Sequence, residues 1–172
     1  VEGYATAPGY IEALCARIDE ASALLPEAER ASAPVLFSAH GLPESYIRKG
    51  DPYLDDVCAT VAAVTRRLDL GARARLAFQS RVGRRRWLGP TTEDALDALA
   101  DTGVASLIVV PVSFTGEHVE TLQEIDIVYR ERAASRGLTH FARARTVGCH
   151  PSFVAELASQ LAQLAHEVGR PA

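Results

Sequence analysis

An imidazole at the end of an apolar run is the first group in this sequence with chemistry to offer. His40 closes the stretch Leu36-Phe37-Ser38-Ala39, and a loop dense in glycine and proline, GLPESYIRKGDPY, follows it. Near neutral pH an imidazole can accept a proton or bind a metal, since its unperturbed pKa is about 6.5. The plain alternative is a strand-end ring bonded to a backbone carbonyl. A second group lies in EHVETLQEID. Glu120 and Glu124 are four apart and share one face of a helix. Glu117 and His118 stand at the start of that helix, and Asp126 points elsewhere. A histidine with carboxylates is a mixed N/O set that suits a divalent first-row metal and also suits proton transfer. Its plain alternative is a solvated acidic face. There is no HExxH pattern, so spacing alone does not fix the chemistry. The third stretch is RVGRRRW. Trp87, the only tryptophan, suits an apolar wall for a flat ligand or a packed surface aromatic. Arg81, Arg84, Arg85 and Arg86 suit either an acidic substrate or a solvated loop.

These groups need elements to hold them. Residues 8–25 carry apolar side chains at helical spacing (Ile11, Leu14, Cys15, Ile18), with Pro8 in the first turn. Residues 34–39 read as a buried strand. Residues 51–70 read as a helix with Asp51 as cap, Pro52 in the first turn and Arg66 and Arg67 near its end. Residues 74–80 form a second strand. Residues 91–103 form a helix capped by Thr91 or Thr92 and stopped by Gly103. The most apolar strand is 105–114. A long helix, 117–137, ends at Gly137; a weaker strand, 140–148, and a last helix, 150–168, complete the order.

Strands thus alternate with helices, which predicts right-handed crossovers and a four-stranded parallel sheet in a three-layer α/β/α lobe. The continuous apolar runs fit a sheet covered on both faces. In such a sheet ligands bind beyond the carboxyl ends of the strands, which is where all three chemical stretches begin.

Composition narrows the classes further. A chain of 172 residues suits one domain with a sizeable core. The net charge of −4 argues against nucleic acid as the main partner. No apolar run reaches the roughly 20 residues that span a bilayer, and no signal peptide is visible. Cys15, Cys58 and Cys149 lie far apart, which argues against a zinc ribbon or an iron–sulfur site and favours a reducing, cytoplasmic setting. The chain opens on Val1 and contains no methionine, so a fragment of a longer protein is expected.

At the three loops the sequence resembles ferrochelatase, the enzyme that inserts ferrous iron into a porphyrin to make haem. LFSAHGLPESYIRKGDPY is similar to the family's histidine loop, FQSRVGRRRWLGPTTEDAL to its second signature, and VVPVSFTGEHVETLQEIDIVYRE to its third, the most specific. Order and intervals match, and the resemblance runs from the first helix to the last. It implies the C-terminal half of a two-lobed enzyme, with the N-terminal lobe absent from residues 1–172. It implies His40 and Glu120 as catalytic residues and His40, Glu120 and Glu124 as the iron site. Leu42, Pro43, Ser80, Trp87 and His118 would contact the porphyrin. The carboxylate helix is implied to be locally widened to a π-helix. Fe2+ is then a substrate, protoporphyrin IX the organic partner, and peripheral contact with the inner face of the membrane is implied. No iron–sulfur cluster is expected, because the C-terminal end lacks the cysteines that hold one in some members. The Arg84–Arg86 run departs from the family, which often has proline and apolar residues before the tryptophan. Alternatives are a coproporphyrin ferro- or cobalt-chelatase, and a lobe that binds porphyrin without turnover.

Overall fold

A computed structural model describes residues 3–168. Helix α1 (Pro8–Ser22) and the single turn α2 (Glu27–Arg30) lead into β1 (Val35–His40). A turn, α3 (Glu44–Ile47), and the longer α4 (Tyr53–Arg67) connect to β2 (Ala74–Gln79). Then come α5 (Thr92–Ala100), β3 (Ser106–Pro111), a π-helix (Glu120–Tyr129) continuing as α6 (Arg130–Ser135), β4 (His140–Arg143) and α7 (Pro151–Val168). The four strands are parallel in the order β2-β1-β3-β4.

Side chains alternate across the central strands, and each face has its own core. Val35, Phe37 and Ala39 of β1 join Ile108 and Val110 of β3 under α1, α4 and α7. Leu36, Leu107 and Val109 face the other way, toward Leu96 of α5, Ile125 and Tyr129 of the π-helix, and Ala133 of α6. With both faces covered, the apolar runs have no polar alternation to show.

The sheet order carries the functional consequence. From β1 the chain moves outward to β2 over one face through α4, then returns past β1 to β3 over the other face through α5. The connections diverge between β1 and β3, and a crevice opens beyond the carboxyl ends of those strands. His40 is the last residue of β1, so it stands at that crevice.

Local capping follows the sequence in part. Thr91 Oγ1 accepts the Asp94 amide at 3.0 Å and opens α5. Gly103 and Gly137 take φ values of 77° and 91°, a left-handed conformation that closes the preceding helices at low steric cost. Several boundaries differ from those expected. The helix expected over 8–25 stops at Ser22, and α2 follows it. The helix expected over 51–70 runs from Tyr53 to Arg67; Asp51 still accepts the Tyr53 amide, at 3.0 Å. The strand expected over 105–114 is confined to Ser106–Pro111, and the one over 140–148 to His140–Arg143. Arg143, the last residue of β4 and only 11% exposed along its side chain, pairs with Glu117 and Asp126. Among the described residues no helix is long and apolar enough to cross a membrane.

Candidate active site

His40 is fixed at three points. Its amide donates to Ser113 Oγ at 2.8 Å, its carbonyl accepts from the Tyr53 hydroxyl at 2.7 Å, and Nδ1 lies 2.7 Å from the Gly41 carbonyl. A carbonyl can only accept, so Nδ1 carries the proton in that bond. The plain reading of the histidine, a ring bonded to backbone, therefore describes one nitrogen. Nε2 is left facing the crevice, 3.4 Å from Glu120 Oε1. The other Glu120 oxygen is 3.2 Å from His118 Nδ1. The Phe114 ring lies beside both imidazoles, with ring centroids 6.1 Å from His40 and 4.9 Å from His118.

Glu120 reaches this position from the first turn of the π-helix. An α-helix is what the i, i+4 spacing predicts over 117–137, and the structure corrects it: the turns from Glu120 to Tyr129 are wide, and α geometry resumes only at Arg130. Wide turns of this kind are rare and concentrate at functional sites. Arg143 steadies the segment by pairing with Asp126 Oδ1 at 2.8 Å and with Glu117 at 3.0 Å. Burial alone would push the Glu117 carboxyl up. The Thr146 amide, the Thr121 hydroxyl and Arg143 more than offset this and hold it below the usual carboxylate range. A lowered native pKa contributes stability above the unfolded value of about 4.3, lost as pH falls through the native one. Glu117→Gln is therefore expected to lower Tm by a few degrees at pH 7, with the gap narrowing as the pH is taken below the unfolded value, as a series of thermal melts across that range will show.

Glu124 takes a different place. Its Oε2 accepts from Gln79 Nε2 at 3.0 Å and from Ser80 Oγ at 2.7 Å. Gln79, 1% exposed, also donates to the Glu120 carbonyl at 3.0 Å and accepts from Ser38 Oγ at 2.6 Å. Ser80 has φ 62°, a left-handed conformation uncommon for a residue with a side chain. The structure thus brings His40, His118 and Glu120 together, and sets Glu124 and Ser80 beside a second cavity of about 250 Å³ that Arg81, Glu93 and Tyr129 also line. Burial, then the charges of Glu93 and Glu124, push the Tyr129 phenol well above its ordinary range, so it stays neutral. Among the described residues no three His, Cys, Asp or Glu side chains are grouped closely enough to hold a metal ion.

Next to His40 lies a cleft of about 330 Å³ lined by Leu42, Pro43, Tyr46, Val82, Arg85 and Trp87. Of the five porphyrin contacts that the resemblance implies, Leu42, Pro43 and Trp87 stand on its wall, whereas Ser80 and His118 do not line it. Pro43 and Trp87 are paired across an isolated bridge, and the Leu88 amide donates to the Leu42 carbonyl at 2.9 Å. Gly41 makes this approach feasible: a Cβ there would lie 2.7 Å from the Gln79 carbonyl oxygen and 3.3 Å from Trp87 Cε3.

Sequence reasoning missed Gln79, Tyr53, Ser113 and Phe114. Gln79 gave the same signal as His40, a polar residue ending an apolar run. Phe114 gave none, because an aromatic after a strand is usually core.

The likeness to known proteins follows this geometry. A solved CbiX protein from Marinobacter aquaeolei, named for cobalamin (vitamin B12) biosynthesis, superposes with a TM-score of 0.53 over 78% of this chain and 98% of its own, at 15% identity. At that identity the likeness is one of fold. The ferrochelatase of Synechocystis sp. is 43% identical over 155 residues, which are 90% of this chain and 40% of that protein. The ferrochelatase of Geotalea uraniireducens is 44% identical over 152 residues, 88% of this chain and 47% of that one. The chain therefore spans less than half the length of these two ferrochelatases. Across residues 1–164 it fits the family model described as ferrochelatase, and so the chain belongs to the ferrochelatase family.

Proposed function

We propose that this chain carries the metalation half-site of a protoporphyrin ferrochelatase. The observation that carries the reading is the pair His40 Nε2 and Glu120 Oε1, 3.4 Å apart beside an apolar cleft walled by Trp87. Inserting Fe2+ into a free porphyrin releases two pyrrole protons, so a positioned base lowers the barrier. The Gly41 carbonyl holds the Nδ1 proton, which makes Nε2 the nitrogen available to the substrate. In this reading His40 accepts the two pyrrole protons in turn, and Glu120 stabilises the imidazolium and passes each proton on toward solvent. His118 Nδ1 lies 3.2 Å from the second Glu120 oxygen. The same lone pair and carboxylate can together take an incoming Fe2+ before it is transferred. Leu42, Pro43 and Trp87 supply an apolar face for the flat macrocycle.

The cleft is open, and Tyr46 and Val82 on its rim are exposed. The remaining length of the relatives corresponds, in this proposal, to an N-terminal lobe that forms the opposite wall. Trp87 is the only tryptophan, so its emission reports on the cleft. Titration with protoporphyrin IX is expected to quench it saturably. Emission that does not saturate with added porphyrin would contradict the proposed seat.

A further inference from the structure

Three consecutive arginines, Arg84 to Arg86, precede Trp87, and the structure gives them different surroundings. Arg86 has an acidic neighbour: its Nε lies 3.5 Å from Glu44 Oε1, and its backbone carbonyl accepts the Glu44 amide at 3.0 Å. The other Glu44 oxygen is taken by Arg48 at 3.1 Å. Arg84 is exposed and lines no cavity described above. Arg85 is on the wall of the His40 cleft, with Leu42, Pro43 and Trp87, and forms no ion pair among the described residues.

We propose that Arg85 reads a peripheral carboxylate of the porphyrin and thereby sets the rotation of the macrocycle over His40. The inference rests on the reading of the cleft given above. Apolar contact with Leu42, Pro43 and Trp87 is non-directional, so by itself it leaves a disc free to turn in its plane. Protoporphyrin IX carries two propionate carboxylates on its edge, and a guanidinium matches a carboxylate with two parallel N–H donors. A macrocycle lying on the apolar wall also removes water from one side of that pair, which strengthens it. One anchored edge and one flat face together define a single orientation for the central nitrogens.

The test compares protoporphyrin IX with its dimethyl ester, which keeps the ring and loses both charges. Both are presented in the same non-ionic detergent to the wild-type chain and to Arg85→Gln, Arg85→Lys and Arg84→Gln, with Trp87 quenching as the readout. The wild type is expected to bind the diacid about tenfold more tightly than the ester. Arg85→Gln should abolish most of that preference, Arg85→Lys should keep part of it, and Arg84→Gln should leave it intact. The preference should also shrink in 1 M salt. Two results overturn the assignment of Arg85 while leaving the cleft reading in place: a preference that survives Arg85→Gln, or an equal loss in Arg84→Gln. Absence of saturable quenching by either ligand overturns the cleft reading and the Arg85 assignment together.

Discussion

Glu120→Gln is expected to lower porphyrin metalation at least 100-fold, on the order of a lost proton-transfer group, while porphyrin binding stays unchanged. The substitution keeps the size and shape of the side chain. It also keeps the backbone carbonyl that accepts from Gln79, so the first turn of the π-helix stays anchored. What is lost is the negative charge between His40 and His118. A neutral amide can neither stabilise an imidazolium at His40 nor carry a proton onward. Anaerobic assays with the matching N-terminal lobe, followed by porphyrin absorbance, measure the effect. Trp87 quenching in the same variant separates it from a loss of binding. Retention of more than half the rate would remove Glu120 from the mechanism.

Gln79→Leu should destabilise the fold by about 3 kcal/mol, read from the urea midpoint at constant slope. Gln79 sits at the end of β2 with three hydrogen bonds, one of them to the Glu124 carboxylate. Leucine matches its volume roughly and satisfies none of these partners. Ser38 would keep Thr92, 2.7 Å away, and Glu124 would keep Ser80. The Glu120 carbonyl would lose its link to the sheet. A loss below about 1 kcal/mol would mean that the network is not cooperative and that the wide helix holds its position without it.

The layered fold was legible because its signals are redundant. Apolar runs marked β1 and β3, Thr91 and Gly103 bracketed α5, and strict alternation of strands and helices implied the parallel sheet. The placing of His40 followed from the same logic, since the end of a buried strand is where a polar side chain can leave the core. The π-helix was not legible from spacing. Residues four apart fall near one face in either helix type, so Glu120 and Glu124 read the same whichever forms; only the resemblance to the family suggested the wider turn. Distances between loops were also hidden. Nothing in the spacing of Glu120 and Glu124 reveals that Gln79 and Ser80 from another strand hold the second carboxylate. The same holds for the arginines: a run of three looks uniform in sequence, and only the fold distinguishes Arg85 on the cleft wall from Arg86 beside Glu44.

The most direct test of the account is metalation itself. Ferrous iron and protoporphyrin IX are mixed anaerobically with this chain and the matching N-terminal lobe, and the porphyrin absorbance is followed for wild type, His40→Ala and Glu120→Gln. The account predicts metalation that requires the wild-type pair and is lost in both variants while Trp87 quenching persists. Porphyrin that binds without metalation in the wild type, or metalation that proceeds unchanged in His40→Ala, would contradict it.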